Sequence, residues 1–202
     1  MITFDAIRSA HLAAITPLCK ILPPPQLIGL WLLQGNLNDL SRYGRSLTPM
    51  NGPSYAPGGY GQAANMTMAG TSVPLPGNFS VDFVGLPVTS FFIGSYEFRF
   101  NKNYGNWWLY VYNGGSAVTN KNLTEGGGTD NLYSHCAFYR IGNKVYFAYN
   151  GTVKTSMTFT DEIASISVTS PAIQNLRITN HSVGTATSFP VPTGFYTGFE
   201  PI

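Results

Sequence analysis

The chain has 202 residues, of which 10% are charged, with 11 basic and 9 acidic side chains and a formal net charge of +2. An average soluble domain is about 25% charged, so this composition excludes a coiled coil, a charge-rich helical bundle and a disordered tail, and the small net charge leaves no electrostatic footprint for nucleic acid. The 13 Phe, 12 Tyr and 3 Trp, with 22 Gly and 14 Pro, instead suit one domain of many short strands joined by tight turns, with an uncharged surface of the kind found on subunits of larger assemblies.

In chain order, residues 3–18 carry the one helical pattern. Phe4, Ile7, His11, Ala14, Ile15 and Leu18 recur at three- and four-residue spacing behind Thr3, an N-cap residue. Pro17 limits this helix, and Pro23-Pro24-Pro25 form a stiff spacer. A helix of this length is marginal alone and must dock its apolar face. Phe4, Ile7, His11, Ile15 and Leu18 are therefore the expected partner-binding residues of an N-terminal arm. Asp5 and Arg8 interrupt the segment where a signal peptide needs a basic start and an apolar run, and no stretch approaches the roughly 20 apolar residues of a membrane span. Cytoplasmic synthesis is the expectation, with no membrane partner.

From Leu27 the pattern changes to runs of β-branched and aromatic residues. The clearest are Leu27–Leu33, Phe79–Val84, Phe91–Phe100, Trp107–Tyr112, Ser134–Arg140, Val145–Tyr149, Ser165–Val168 and Ile173–Thr179. Between them lie the turn signals Gly58-Gly59, Asn113-Gly114-Gly115, Gly126-Gly127-Gly128, Gly142-Asn143 and Asn150-Gly151. Strands at this spacing, without intervening helices, predict an all-β antiparallel sandwich. The domain plan is a helical arm and spacer over 1–26 and a sandwich over 27–202. Cys19 and Cys136 read as two free thiols, since no cysteine framework supports the fold.

Alternation along β-structure separates Trp108, Tyr110 and Tyr112 from Trp107, Leu109 and Val111. One set packs into the core. The other is a candidate face for stacking on sugar rings or anchoring a partner. His135 and Cys136 are neighbours in a strand, so their side chains diverge and form no nucleophile–base pair. No zinc spacing and no phosphate-binding glycine loop is present.

Four segments carry a family resemblance. Trp31 followed by Gly35-Asn36, Asp39, Ser41 and Gly44 and later by Gly58 to Gly61-Gln62-Ala63, then Asn78-Phe79-Ser80-Val81-Asp82-Phe83, then Tyr133-Ser134-His135-Cys136-Ala137 through Arg140 and Gly142-Asn143 to Asn150-Gly151, and finally Gln174-Asn175-Leu176-Arg177-Ile178-Thr179 with Phe189-Pro190-Val191-Pro192, occur in that order. Together they resemble concanavalin A-like (laminin G-like) jelly-roll domains, and the closing segment is similar to that of such domains in structural proteins of tailed bacteriophages. The sequence departs from this pattern at Tyr133, where the family has Trp, at Gln174-Asn175, where Asp is common, and across Ser182–Thr187.

The resemblance implies a jelly roll, and its hydrolase members imply two carboxylates on one strand face. Here no two acids are spaced two apart, and Glu97 is the one acid of the long aromatic region, so no catalytic residue is expected. Many such domains hold calcium. Asp39 with Asn36 and Asn38, or Glu125 with Asp130, offer oxygens for it, although the same side chains cap turns. The main expectation is a non-enzymatic virion structural protein, a capsid decoration subunit attached by its arm to other virion proteins such as the major capsid protein, and a homo-oligomer. The alternative is a tail-associated lectin-like module that binds a host surface glycan through Trp108, Tyr110 and Tyr112.

Overall fold

The computed structural model describes residues 26–58, 61–75, 77–85, 89–103, 106–124 and 134–191. The helical arm with Phe4, Ile7, His11, Ile15 and Leu18, the spacer, Cys19, Glu125, Asp130 and Tyr133 lie outside them. Among the described residues every regular element is a strand: β1 (Leu27–Trp31), β2 (Ser54–Gly58), β3 (Gly61–Leu75), β4 (Phe79–Gly85), β5 (Thr89–Ile93), β6 (Tyr96–Asn103), β7 (Asn106–Asn113), β8 (Ser116–Asn122), β9 (Ser134–Ile141), β10 (Lys144–Tyr149), β11 (Thr152–Thr158) and β12 (Ile163–Thr179). All pairings are antiparallel.

The topology is set by β12, which is 17 residues long and belongs to two layers. Its first half pairs with β3 and β5, and its second half with β4 and β1. One layer, sheet I, therefore runs β1-β12-β4-β9-β10-β11, and the other, sheet II, runs β2-β3-β12-β5-β6-β7-β8. The strand changes layers around Ser170, whose hydroxyl is hydrogen-bonded to Thr89 Oγ1 at 2.7 Å in the buried corner. The sequence runs Ser165–Val168 and Ile173–Thr179, expected as two strands, are parts of this one strand, which continues through residues 169–172. The sequence reading also took residues 91–100 as one strand, where the chain turns at Gly94-Ser95 (Gly94 φ 58°) to make the β5–β6 hairpin. The expected sandwich is present.

Phenylalanines from both layers fill the interior. Phe138 on β9 meets Phe91 at 5.2 Å, Phe98 at 5.1 Å and Phe100 at 6.4 Å between ring centroids, and Phe98 meets Phe147 edge-on at 5.2 Å. Such contacts are worth roughly 0.5–1.5 kcal/mol each beyond the area they bury. Cys136 is a buried free thiol in this core, where the apolar surroundings push its pKa far up and leave it unreactive. At the edge of the core the Trp31 ring lies across Gly29, where a Cβ would come within 2.2 Å of it.

Candidate functional site

The two outer faces of the sandwich differ. On sheet II, the β6–β7 register pairs Asn101 with Trp108, Arg99 with Tyr110 and Glu97 with Tyr112. Opposite residues of an antiparallel pair share a face. The same rows continue to Asn122, Asn120 and Ala117 on β8, and to Ser90 and Phe92 on β5. Trp107, Leu109 and Val111 point the other way and are 0–2% exposed in the core, while Trp108, Tyr110 and Tyr112 are half-buried on the outer face. Trp108 and Tyr110 form a near-parallel pair, with centroids 6.2 Å apart and planes at 26°. Beside them Arg99 donates from Nε and Nη2 to Glu97 Oε1 and Oε2 at 2.8 and 3.1 Å, and Ser90 Oγ donates to Glu97 Oε1 at 2.8 Å. The guanidinium lies 5.1 Å over the Tyr112 ring, and its hydrogen bonds to Glu97 raise its pKa above the usual arginine value. The face thus combines flat apolar rings with a fixed array of donors and acceptors.

The outer face of sheet I is covered. Residues 180–191 cross it as a strap whose Phe189 is 3% exposed and packs on Tyr139, Ala137 and Ala148. Phe189 N donates to Gly151 O at 2.9 Å, Val153 N to Thr187 O at 3.2 Å and Val183 N to Ser80 Oγ at 2.8 Å, while the Tyr139 hydroxyl donates to the Thr185 carbonyl. The β10–β11 turn makes room for the strap. Asn150 and Gly151 both have positive φ, as a two-residue hairpin turn demands, and a Cβ on Gly151 would lie 2.9 Å from Val191.

Beneath the strap is a buried charged cluster. Arg177 Nε donates to Asp82 Oδ1 at 2.9 Å, and His135 Nε2 lies 3.3 Å from Asp82 Oδ2, with all three side chains at most 4% exposed. The His135 ring lies against Phe189, and its Nδ1 is buried without a hydrogen-bond partner. Three of the resemblance segments contribute one residue each to this cluster, which is closed to ligands by the strap.

The first segment is also structural. Asp39 Oδ1 accepts from Leu30 N and Ser41 N at 2.9 and 2.8 Å, and Oδ2 accepts from Arg45 N and Ser41 Oγ, both at 2.8 Å. Asn36 Oδ1 accepts from Asn38 N, so the Asp39 and Asn36 oxygens offered for calcium hold the loop after β1. Among the described residues no three His, Cys, Asp or Glu side chains gather as a metal site. Glu97 is the one carboxylate among the described residues of β5–β8.

Sequence alternation thus located Trp108, Tyr110 and Tyr112 on one face but missed Glu97, Arg99, Asn101 and Asn120 as their neighbours. Counting outward from the Asn103–Asn106 pair that closes the β6–β7 hairpin would have found the three on β6, whereas Asn120 depends on the bulged β7–β8 register.

No family model matches this chain, and no curated protein matches it in sequence. Solved structures do. The binding domain of Paraclostridial Mosquitocidal Protein 1 superposes with a TM-score of 0.56 at 10% identity, over 79% of this chain and 50% of that one. Domain 4 of AbnA, a GH43 extracellular arabinanase from Geobacillus stearothermophilus solved in complex with arabinotriose, gives 0.53 at 19% identity, over 82% of this chain and 94% of that domain. A Trypanosoma rangeli sialidase gives 0.55 at 15% identity, over 81% of this chain and 32% of the enzyme. This chain therefore spans half the length of the first and a third of the last. At these identities the likeness is one of fold: an antiparallel β-sandwich.

Proposed function

We propose that this chain is a carbohydrate-binding module that takes a glycan on the outer face of sheet II. The observation that carries the reading is the row of half-buried aromatics on β7, flanked by the Glu97–Arg99 pair and by Asn101 and Asn120. Sugar rings offer apolar C–H faces and a rim of hydroxyls, so stacking rings beside fixed polar groups suit them. Among the described residues sheet I offers no comparable surface, because the strap packs over it. The arabinanase domain with its arabinotriose supports the reading by analogy of fold.

The module binds without turnover on this reading. Glu97 is engaged by Ser90 and Arg99, and β5–β8 supply no second described carboxylate to act as its acid or nucleophile. The closing-segment resemblance to tailed-phage proteins favours a place on a virion tail, where a glycan binder meets the host surface. Capsid decoration through Phe4, Ile7, His11, Ile15 and Leu18 needs the arm, which lies outside the described residues, and the likeness of fold lends it nothing.

A glycan array followed by calorimetry tests the proposal. Binding to at least one glycan class, lost in Trp108→Ala while circular dichroism and the unfolding midpoint stay near wild type, is the expected result. A folded chain that binds no glycan, or binds equally well without Trp108 and Tyr110, overturns it.

A further inference from the structure

We infer that the ligand of this face is an uncharged, linear glycan lying along β7, with two sugars stacked on Trp108 and Tyr110 and a third read by Glu97 and Arg99. This deepens the proposed function and rests on it.

The first support is the row itself. Trp108, Tyr110 and Tyr112 stand at successive same-face positions, so the row runs about 13–14 Å along the strand. Its members are not equivalent. Trp108 and Tyr110 form a near-parallel ring pair on the outer face, whereas the Tyr112 ring carries the Arg99 guanidinium at 5.1 Å. Tyr112 therefore backs a hydrogen-bonding group, while the other two supply half-buried apolar ring surface. A chain of sugars bound here meets two apolar surfaces and then a polar one, in that order.

The second support is charge. Glu97 and Arg99 neutralise each other in a bidentate pair, with side chains 17% and 39% exposed. The pair uses two of the five guanidinium N–H donors, leaving the others and the remaining carboxylate lone pairs for hydroxyls. Lys102 and Lys121, the other charged residues of β5–β8, stand at the register positions of Trp107 and Leu109, away from the aromatic row. Among the described residues of β5–β8, Arg99 is the one cation in the rows of this face and it is already paired with Glu97, so an anionic sugar would meet an engaged carboxylate there. Around the pair the rows hold Asn101, Asn120, Asn122 and Ser90, polar side chains without charge, beside the apolar Phe92 and Ala117.

Calorimetry with di-, tri- and tetrasaccharides of the arabino-, xylo- and cello- series, and with galacturonate trisaccharide, tests this. A neutral trisaccharide is expected to bind about tenfold more tightly than its disaccharide, with less than about a threefold gain on adding a fourth unit. Its affinity should barely change with salt, and galacturonate should bind more weakly. Trp108→Ala should abolish di- and trisaccharide binding alike, while Arg99→Met should abolish the advantage of the trisaccharide and leave disaccharide binding in place. Preference for galacturonate, or affinity independent of length, overturns the inference but leaves glycan binding standing. No binding to any probe in these series or on the glycan array overturns both.

Discussion

Asp82 and Arg177 are 95 residues apart and form a 2.9 Å ion pair at the centre of sheet I, beneath the strap. A bulge brings them together. Between Gln174 and Arg177 the β12–β4 register slips by one residue, and Asn175 takes a φ of 51°. The extra residue restores Leu176 and Ile178 to the core and turns Arg177 outward onto Asp82. Asn tolerates this left-handed backbone better than other side chains with a Cβ, which is a physical reason for Asn where the related pattern has Asp.

Breaking this pair removes a counter-charge 2.9 Å away from a side chain at most 4% exposed. Asp82→Asn and Arg177→Met should each cost about 3–5 kcal/mol, whereas replacing both by apolar residues of similar volume should cost far less than the sum. Urea unfolding with an unchanged m-value measures it. Single losses below about 1 kcal/mol would mean that the pair is solvated and that the strap does not seal it.

Asp39 should behave as a loop staple. Asp39→Asn swaps one acceptor oxygen for a donor facing Leu30 N, Ser41 and Arg45 N, and should lower stability by about 1–3 kcal/mol. The expected change is a lower unfolding midpoint with glycan affinity unaltered, since the loop is not on the sheet II face.

Much of the fold was legible because β1, β4, β7, β9 and β10 are dense in β-branched and aromatic residues bounded by turn signals. β3 was missed for the opposite reason. Gly61–Leu75 is built from Ala, Asn, Met, Thr and Gly and becomes a 15-residue strand because it lies between β2 and β12, a tertiary effect that outweighs propensity. β8 and β11 are edge strands of Ser, Thr, Asn and Lys with no buried face to impose a pattern. The aromatic row was legible through its period of two. Its polar partners on β6, the Asp82–Arg177 pair and the strap were not, since each depends on register or on contacts across many residues.

The alternation on β7 predicts opposite consequences for adjacent positions. Leu109→Ala empties a fully buried site and should cost about 2–5 kcal/mol. Trp108→Ala removes a half-buried outer ring and should cost about 1 kcal/mol or less while abolishing glycan binding. Thermal unfolding and calorimetry on the two variants separate stability from function. A Trp108 variant as unstable as the Leu109 variant would return that ring to the core.

The strap should release in alkali. Burial, and then the neighbouring Tyr146, push the Tyr139 phenol from its ordinary 10.0 up to about 12. A phenol is neutral when protonated, so the folded chain holds this proton more tightly than the unfolded chain does. Its contribution to stability is complete below about pH 10 and is lost as pH rises toward 12. Ionisation also removes the hydroxyl proton that Tyr139 donates to the Thr185 carbonyl, placing a negative charge against strap oxygens. Monitoring phenolate absorbance beside proteolysis of residues 180–191 should show the strap becoming cleavable in that window, before the sandwich unfolds. Tyr139→Phe keeps the ring against Phe189 and cannot ionise, so its strap should be somewhat more readily cleaved at neutral pH and lack the alkaline step. An alkaline step that survives in Tyr139→Phe would assign it to another group.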